Sequence, residues 1–298
     1  MAYHLKRRKS ISAELSSVVA KEFDKALDEL RDRSHVDGWE AVHEARKRVK
    51  KIRAVLRLLR TDLGSHYAPR NKRLRKVAHE LSPLRDVDAM AETVRSLRDR
   101  YPDLITPTTF AAVNRGFLAR RRRTGRRTDS SRLRSGAARE LRRTASSTVR
   151  RIRRVASTAA VTTGFRRGYE RASDALAEVR AQPEDARFHA WRRRVKDHWY
   201  HVRLLEDLSA RARDRAQRLK RLETWLGDDH NLVLMRETIL RTPARFGDQR
   251  ATTLVLGCVA KYQTTLRRRA LKLGDRLFKP KPGEFRRSMK DWLRRRND

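Results

Sequence analysis

Two stretches of this chain, 146 residues apart, are versions of one helix. Residues 42–59, VHEARKRVKKIRAVLRLL, align without a gap on residues 188–205, FHAWRRRVKDHWYHVRLL. Eight of the eighteen positions are identical: His43 and His189, Arg46 and Arg192, Arg48 and Arg194, Val49 and Val195, Lys50 and Lys196, Arg57 and Arg203, Leu58 and Leu204, and Leu59 and Leu205. The match resumes at an offset of 145, where RLRKV at 73–77 meets RLKRL at 218–222 and Leu81 meets Leu226. The single-residue shift belongs in a loop. An internal repeat reveals what one unit alone hides, and here it makes the chain two related halves of about 145 residues, packed around a pseudo-two-fold axis.

Apolar periodicity and breakers predict helices at 10–33, 38–61, 68–82, 85–100 and 107–121 in the first half. In the second half they predict 164–181, 184–207, 211–227, 230–241, 249–275 and a short last helix at 284–296. Arg, Leu, Ala and Lys are abundant beside only 12 Gly and 8 Pro, and these abundant residues lose little side-chain freedom in a helix. The expected fold class is therefore all-α. Residues 121–136, rich in Arg, Ser, Thr and Gly without a clear period, read as a mobile connection between a first bundle half at 1–120 and a second at 137–298. The RRTASS and RRIRRVAST segments beyond can resume as helix.

At about 100° per residue, His43, Arg46, Lys50, Arg53 and Arg57 fall within an arc of roughly 80°. Val49, Ile52, Val55, Leu56 and Leu59 fall on the other side, where they can pack into a bundle. The same construction recurs with His189, Arg192, Lys196 and Arg203 opposite Val195, Val202 and Leu205. A charged helix face is ordinarily only the solvated one. Such a face, though, mixes signs to gain i,i+4 pairing, whereas this stripe is purely cationic and repels itself. An anion would compensate for it. If the halves face each other, both stripes could line one cleft, extended by Arg73, Arg75, Lys76, Arg218, Lys220 and Arg221 on the next helices. Arg grips phosphate oxygens in pairs and Lys supplies point charges, so this arrangement suits a chain of phosphates. His43 and His189, each three residues before an Arg and seven before a Lys, are placed to donate to phosphate, with protonation favoured once an anion is bound.

The bulk charge points the same way. Lys and Arg number 75 against 36 Asp and Glu, a formal net charge of +39, and a field of that size concentrates polyanions at the surface. One cysteine, Cys258, rules out an intramolecular disulfide and fits a reducing interior, where it reads as a small apolar residue within a helix. The basic N-terminus leads into no apolar run long enough for a signal peptide, and LVLGCVA at 254–260 is far short of the roughly 20 residues a spanning helix needs. A non-secreted chain with no membrane association is expected. No GxxxxGK[ST], HExxH or paired-cysteine zinc pattern occurs. His189, His198 and His201 do not share the spacing that aligns metal ligands. Asp86, Asp88, Asp228 and Asp229, in loops before the fourth helix of each half, read as capping and charge-balancing groups. No acid, base and nucleophile constellation is found, so no cofactor, metal or catalytic residue is expected.

The repeated His-x-x-Arg-x-x-x-Lys helix, followed by LSPLRDVDAM in the first half and LGDDHNLVLM in the second, resembles the CHAD domain, the conserved-histidine α-helical domain. The resemblance covers nearly the whole chain. It implies two antiparallel helical bundles related by internal pseudo-two-fold symmetry, with a basic central groove that binds inorganic polyphosphate, and a cytoplasmic location at polyphosphate granules. The family's basic and histidine positions fall on His43, Arg46, Lys50 and Arg53, and on His189, Arg192 and Lys196. Two departures stand out: Trp199 takes the place of an expected Arg, and Asn231 that of an Asp. The catalytic CYTH-type ExExK motif, to which some members are fused, is absent.

The leading expectation is thus a non-enzymatic polyphosphate-binding protein. The alternative is a nucleic-acid-binding basic helical protein, since nucleic acid is a competing polyanion. Base recognition, however, needs aromatic stacking platforms or a groove-reading element, and only 6% of residues are aromatic. A polyphosphate hydrolase or kinase is the third class. It lacks a carboxylate pair on the basic face to hold the Mg²⁺ that phosphoryl transfer normally uses.

Overall fold

The computed structural model describes residues 3–6, 10–31, 39–127 and 129–294. Among them the protein is all-α, and no strand is found. In chain order the helices are α1 (Ile11–Arg31), α2 (Trp39–Leu58), the single turn α3 (Arg60–Leu63), α4 (Tyr67–Glu80), α5 (Ser82–Arg100) and α6 (Pro107–Arg127). They continue with α7 (Ser130–Val155), α8 (Thr158–Ala181), α9 (Asp185–Arg203), α10 (Ala210–Arg241), α11 (Gln249–Phe278) and α12 (Pro282–Arg294).

Three expectations change. Residues 121–136, read as a mobile connection, are largely helical: α6 runs on to Arg127 and α7 begins at Ser130. The reason is visible on α7, where Ala137, Ala138, Leu141, Thr144, Thr148 and Ile152 are buried on one side, an apolar stripe of small residues that an Arg-rich composition obscures. The break expected between 227 and 230 does not exist, and α10 is one helix of 32 residues. Gly227 costs about 1 kcal/mol in a helix interior, but Leu226 and Leu232 on either side of it are buried, and no proline interrupts them. Asp229 is accordingly no cap. It is buried and accepts from Arg267 Nε at 2.7 Å and from Gln263 Nε2 at 3.3 Å. The start expected at 164 lies earlier, where Ser157 caps α8 by accepting from the Ala160 amide at 3.1 Å. Asp86 and Asp88 lie outside the described side chains.

The chain forms two compact units, each interleaved from distant segments: 1–81 with 131–223 and 273–298, and 82–130 with 224–272. In the first unit α2 packs on α1, α4, α8 and α9, and α8 packs on α9 and α12. Val49, Ile52, Val55, Leu56 and Leu59 are fully buried, as are Val195, Val202 and Leu205, so the apolar sides read from periodicity do face the interior. Close approach of α8 to the end of α2 requires Gly164: a Cβ there would stand 1.9 Å from the Leu58 carbonyl oxygen. Gly64 ends α3 with φ at +52°, a conformation that L side chains rarely adopt. The segment 3–6 docks back on the same unit. The Leu5 amide donates to the Leu204 carbonyl at 2.8 Å, and the buried Tyr3 hydroxyl donates to that of Lys51 at 3.2 Å. The second unit has its own core, formed by Met90, Val94, Leu97, Phe117, Met235, Ile239, Phe246 and Val259 with Cys258 among them. Burial raises the Cys258 thiol above its ordinary pKa, as suits an inert packing residue. Among the described residues no helix is long and apolar enough to cross a membrane.

Candidate functional site

Every candidate residue read from the repeat lies in the first unit. Helix α2 holds His43, Arg46, Lys50, Arg53 and Arg57, and α9 holds His189, Arg192, Lys196 and Arg203. Helix α4 supplies Arg73, Arg75 and Lys76, and α10 supplies Arg218, Lys220 and Arg221. The two repeated helices touch each other. Arg57 of α2 pairs with Asp197 of α9 at 2.6 Å, and the buried His201 ring of α9 places Nε2 2.9 Å from the Ala54 carbonyl of α2. Since a carbonyl only accepts, Nε2 carries the proton. Burial lowers the His201 pKa to about 4, so the ring is neutral near pH 7.

Within each copy the stripes are tied into the fold to different degrees. Arg46 is buried and donates to the Leu81 carbonyl at 3.2 Å. Arg53 donates from Nε to Asn71 Oδ1 at 3.0 Å, and burial together with the neighbouring Arg57 lowers its pKa to about 10. It remains charged at neutral pH. On the α9 side a buried carboxylate, Glu223 of α10, gathers the cations. Lys196 reaches its Oε1, Lys220 its Oε2 at 3.0 Å, and Arg192 stands 4.0 Å away. Burial alone would raise the Glu223 carboxyl, but Lys196 and Lys220 hold it at about 2. The Lys196 ammonium is itself lowered, because its own burial and the nearby Arg192 outweigh the Glu223 attraction. Arg203 lies 3.8 Å from Glu206 and stands over the Trp199 ring at 5.2 Å, with Lys220 over the same ring at 4.9 Å. Trp199, the departure from the family pattern, is thus a buried platform for two cations.

Sequence alone suggested a purely cationic stripe that only an outside anion could compensate. The structure supplies part of that compensation itself, through Glu223, Asp197 and Glu206. Both of the outward helices carry further pairs, Lys76 with Glu80 at 3.7 Å and Arg218 with Asp214 at 3.0 Å, while Arg73 reaches Glu140 of α7 at 3.8 Å. Arg75 and Arg221 are exposed. A surface cavity of about 720 Å³ opens along α4, lined by Pro69, Lys72, Arg73, Arg75, Lys76 and His79. Among the described residues none that lines it is acidic, and it adds Lys72 and His79 to the residues read from the repeat.

His189 is half-buried, and burial first, then Arg193 and Arg192, lowers its pKa. A second basic cluster was not anticipated. Arg57, Arg167, Arg171 and Arg194 surround Asp197 and His201 in a small pocket where α2, α8 and α9 meet. The signal for it was the identity of Arg194 with Arg48 and, at the same offset of 146, the pairing of Arg167 and Arg171 of α8 with Lys21 and Lys25 of α1. Among the described residues no three His, Cys, Asp or Glu side chains converge in a way that could hold a metal ion.

The CHAD domain pattern matches residues 18–240 of this chain, well over half its length. The chain belongs to the CHAD domain family. The match begins within α1 and runs through α10, so it includes every helix that carries a candidate residue. No curated protein matches the chain. Within this CHAD domain the two copies of the repeated helix are neighbours, and Trp199 and Glu223 distinguish the second copy from the first.

Proposed function

We propose that this CHAD protein binds inorganic polyphosphate without catalysing a reaction on it. The ligand is held by the cationic sides of α2 and α9 with the basic residues of α4 and α10. The family is linked to polyphosphate binding in general. The observation that carries the reading for this chain is the adjacency of the repeated helices, fixed by the Arg57–Asp197 and His201–Ala54 contacts. Repetition about a pseudo-two-fold axis would place equivalent phosphate-gripping groups on two sides of a basic groove, and the ligand, a uniform polymer, needs no sequence readout. A cytoplasmic role at polyphosphate granules follows from that activity.

The deciding experiment is a titration with short-chain polyphosphate across salt concentrations, with a nucleic-acid competitor in parallel. Counterion release makes log affinity fall steeply and linearly with log salt, by about 0.9 per phosphate contact on a duplex and somewhat less on a single chain. A shallow slope, or ready displacement from the α2 and α9 residues by DNA or RNA of equal phosphate content, overturns the reading. Lys50→Glu abolishes most binding with helicity retained by circular dichroism, while changing Arg121–Arg123 to Gln weakens it only modestly. Equal losses from the two would mean a diffuse charge cloud. Burial lowers His189 in the free chain and a bound anion favours its protonated form, so affinity rises from pH 8 to pH 6. Release of free phosphate from polyphosphate in the presence of Mg²⁺ would contradict the absence of catalysis.

A further inference from the structure

Helix α7 contains the pattern Arg-x-x-Arg-Arg twice, at Arg139, Arg142 and Arg143 and again at Arg150, Arg153 and Arg154. The two triads are separated by eleven residues, which is three turns and about 20°, so they share a face and stand about 16 Å apart along the axis. All six arginines are exposed. They occupy the side opposite the buried stripe of Ala137, Ala138, Leu141, Thr144, Thr148 and Ile152. Glu140, the acidic residue nearest in sequence, turns to Arg73 of α4 instead. This face therefore bears like charges at i,i+3 and i,i+4 with no acidic neighbour among them, a destabilising arrangement on an isolated helix.

Three further features narrow the partner. The helix holds no aromatic residue, so it offers no platform on which unpaired bases could stack. Its outer face carries no Trp, Phe or Leu to enter a lipid interface. Between the triads the only side chain on the outer arc is that of Ser146, which leaves a shallow gap flanked by forked donors. The spacing of about 16 Å spans a B-form major groove about 12 Å wide, so each triad meets one of its phosphate walls. The major groove of A-form RNA is too narrow for that placement.

We infer that the outer face of α7 is a second polyanion site, which holds duplex DNA by its phosphates without reading sequence. It uses none of the residues of the polyphosphate reading, although α7 touches the α4 part of that reading through Glu140 and Arg73.

The test measures binding of the full chain to a short mixed-sequence DNA duplex at physiological salt by fluorescence anisotropy. The variants are R139Q/R142Q/R143Q, R150Q/R153Q/R154Q and the combination of all six. If each arginine neutralises one phosphate, either triple variant loses roughly 100-fold in duplex affinity and flattens the salt slope by about 2.7. The six positions are exposed, so circular dichroism stays unchanged, and short-chain polyphosphate affinity stays within about twofold. The inference fails if the six-fold variant binds the duplex like the parent. It also fails if an RNA duplex or anionic phospholipid vesicles show the same dependence on the triads, or if polyphosphate affinity falls in step with that for DNA.

Discussion

The two copies of the repeated helix differ at two points that set how much cation each leaves for a ligand. On α2 the fourth stripe position is Arg53, and the α4 residue aligned with Glu223 is Ala78. In the second copy the corresponding residues are Trp199 of α9 and Glu223 of α10. The carboxylate of Glu223 is buried, draws in Lys196, Lys220 and Arg192, and stays ionised down to a pKa of about 2. The first copy therefore carries an added guanidinium and no carboxylate at that place; the second has an internal counterion and an aromatic platform. The second copy thus differs from the first in holding the buried counterion Glu223 among its cations.

The largest expected effect comes from removing the internal counterion. Glu223→Gln leaves Lys196 without its buried partner, which should cost about 3 kcal/mol of stability by denaturant unfolding. Short-chain polyphosphate affinity should rise at the same time, since cations are released to the ligand. The folded-state pKa of Glu223 lies near 2, below its ordinary 4.5. Its contribution is therefore complete above about pH 4.5 and lost as pH falls towards 2, and the stability gap between parent and variant should close across that window. A gap independent of pH would show that packing, not charge, holds this corner.

Next in size is the contrast between the stripes. Lys50→Gln with Arg53→Gln should weaken polyphosphate binding roughly 30-fold at physiological salt if each side chain contacts one phosphate. Lys196→Gln with Arg203→Gln should cost less, because Glu223 and Glu206 already offset those charges. Equal losses by calorimetric titration would erase the proposed asymmetry. Smaller again, Ala78→Glu should lower affinity roughly fivefold by installing the missing carboxylate, equivalent to about one phosphate contact. An unchanged affinity would mean that the aligned position does not sense the stripe. The smallest effect is that of Trp199→Phe, which keeps an aromatic face under Arg203 and Lys220 but weakens it. Stability should fall by less than about 1 kcal/mol, measured by thermal unfolding.

Much of the helix content was legible because an apolar residue every three or four positions survives even in a very basic chain, as with Val49, Ile52, Val55, Leu56 and Leu59. The errors fell where local signals are weak. Gly227 and the acidic pair after it resemble a loop, yet α10 continues because Leu226 and Leu232 bury their side chains. The arginines on either side of it obscured the small-residue stripe at 137–152 that makes α7 a helix reaching back to Ser130. Of the site, the residue types on α2 and α9 could be read from a helical projection, because the stripe is a property of one helix. Glu223 could not, since it comes from another helix, and its pairing depends on where α10 lies. The same holds for Arg167 and Arg171, which meet Lys21 and Lys25 at the offset of 146 but stand beside Asp197 only because of where α8 lies.

What the sequence determined by itself was the all-helical class, the repeat, and the sign and direction of the charge on each helix, all of which follow from side chains at fixed angles on a regular backbone. Only the tertiary structure decided which of those charges are compensated. Burial removes water from Glu223 and forces it to find cations, and which cations those are, like the choice of Arg57 by the half-buried Asp197, depends on helices brought together from distant parts of the chain.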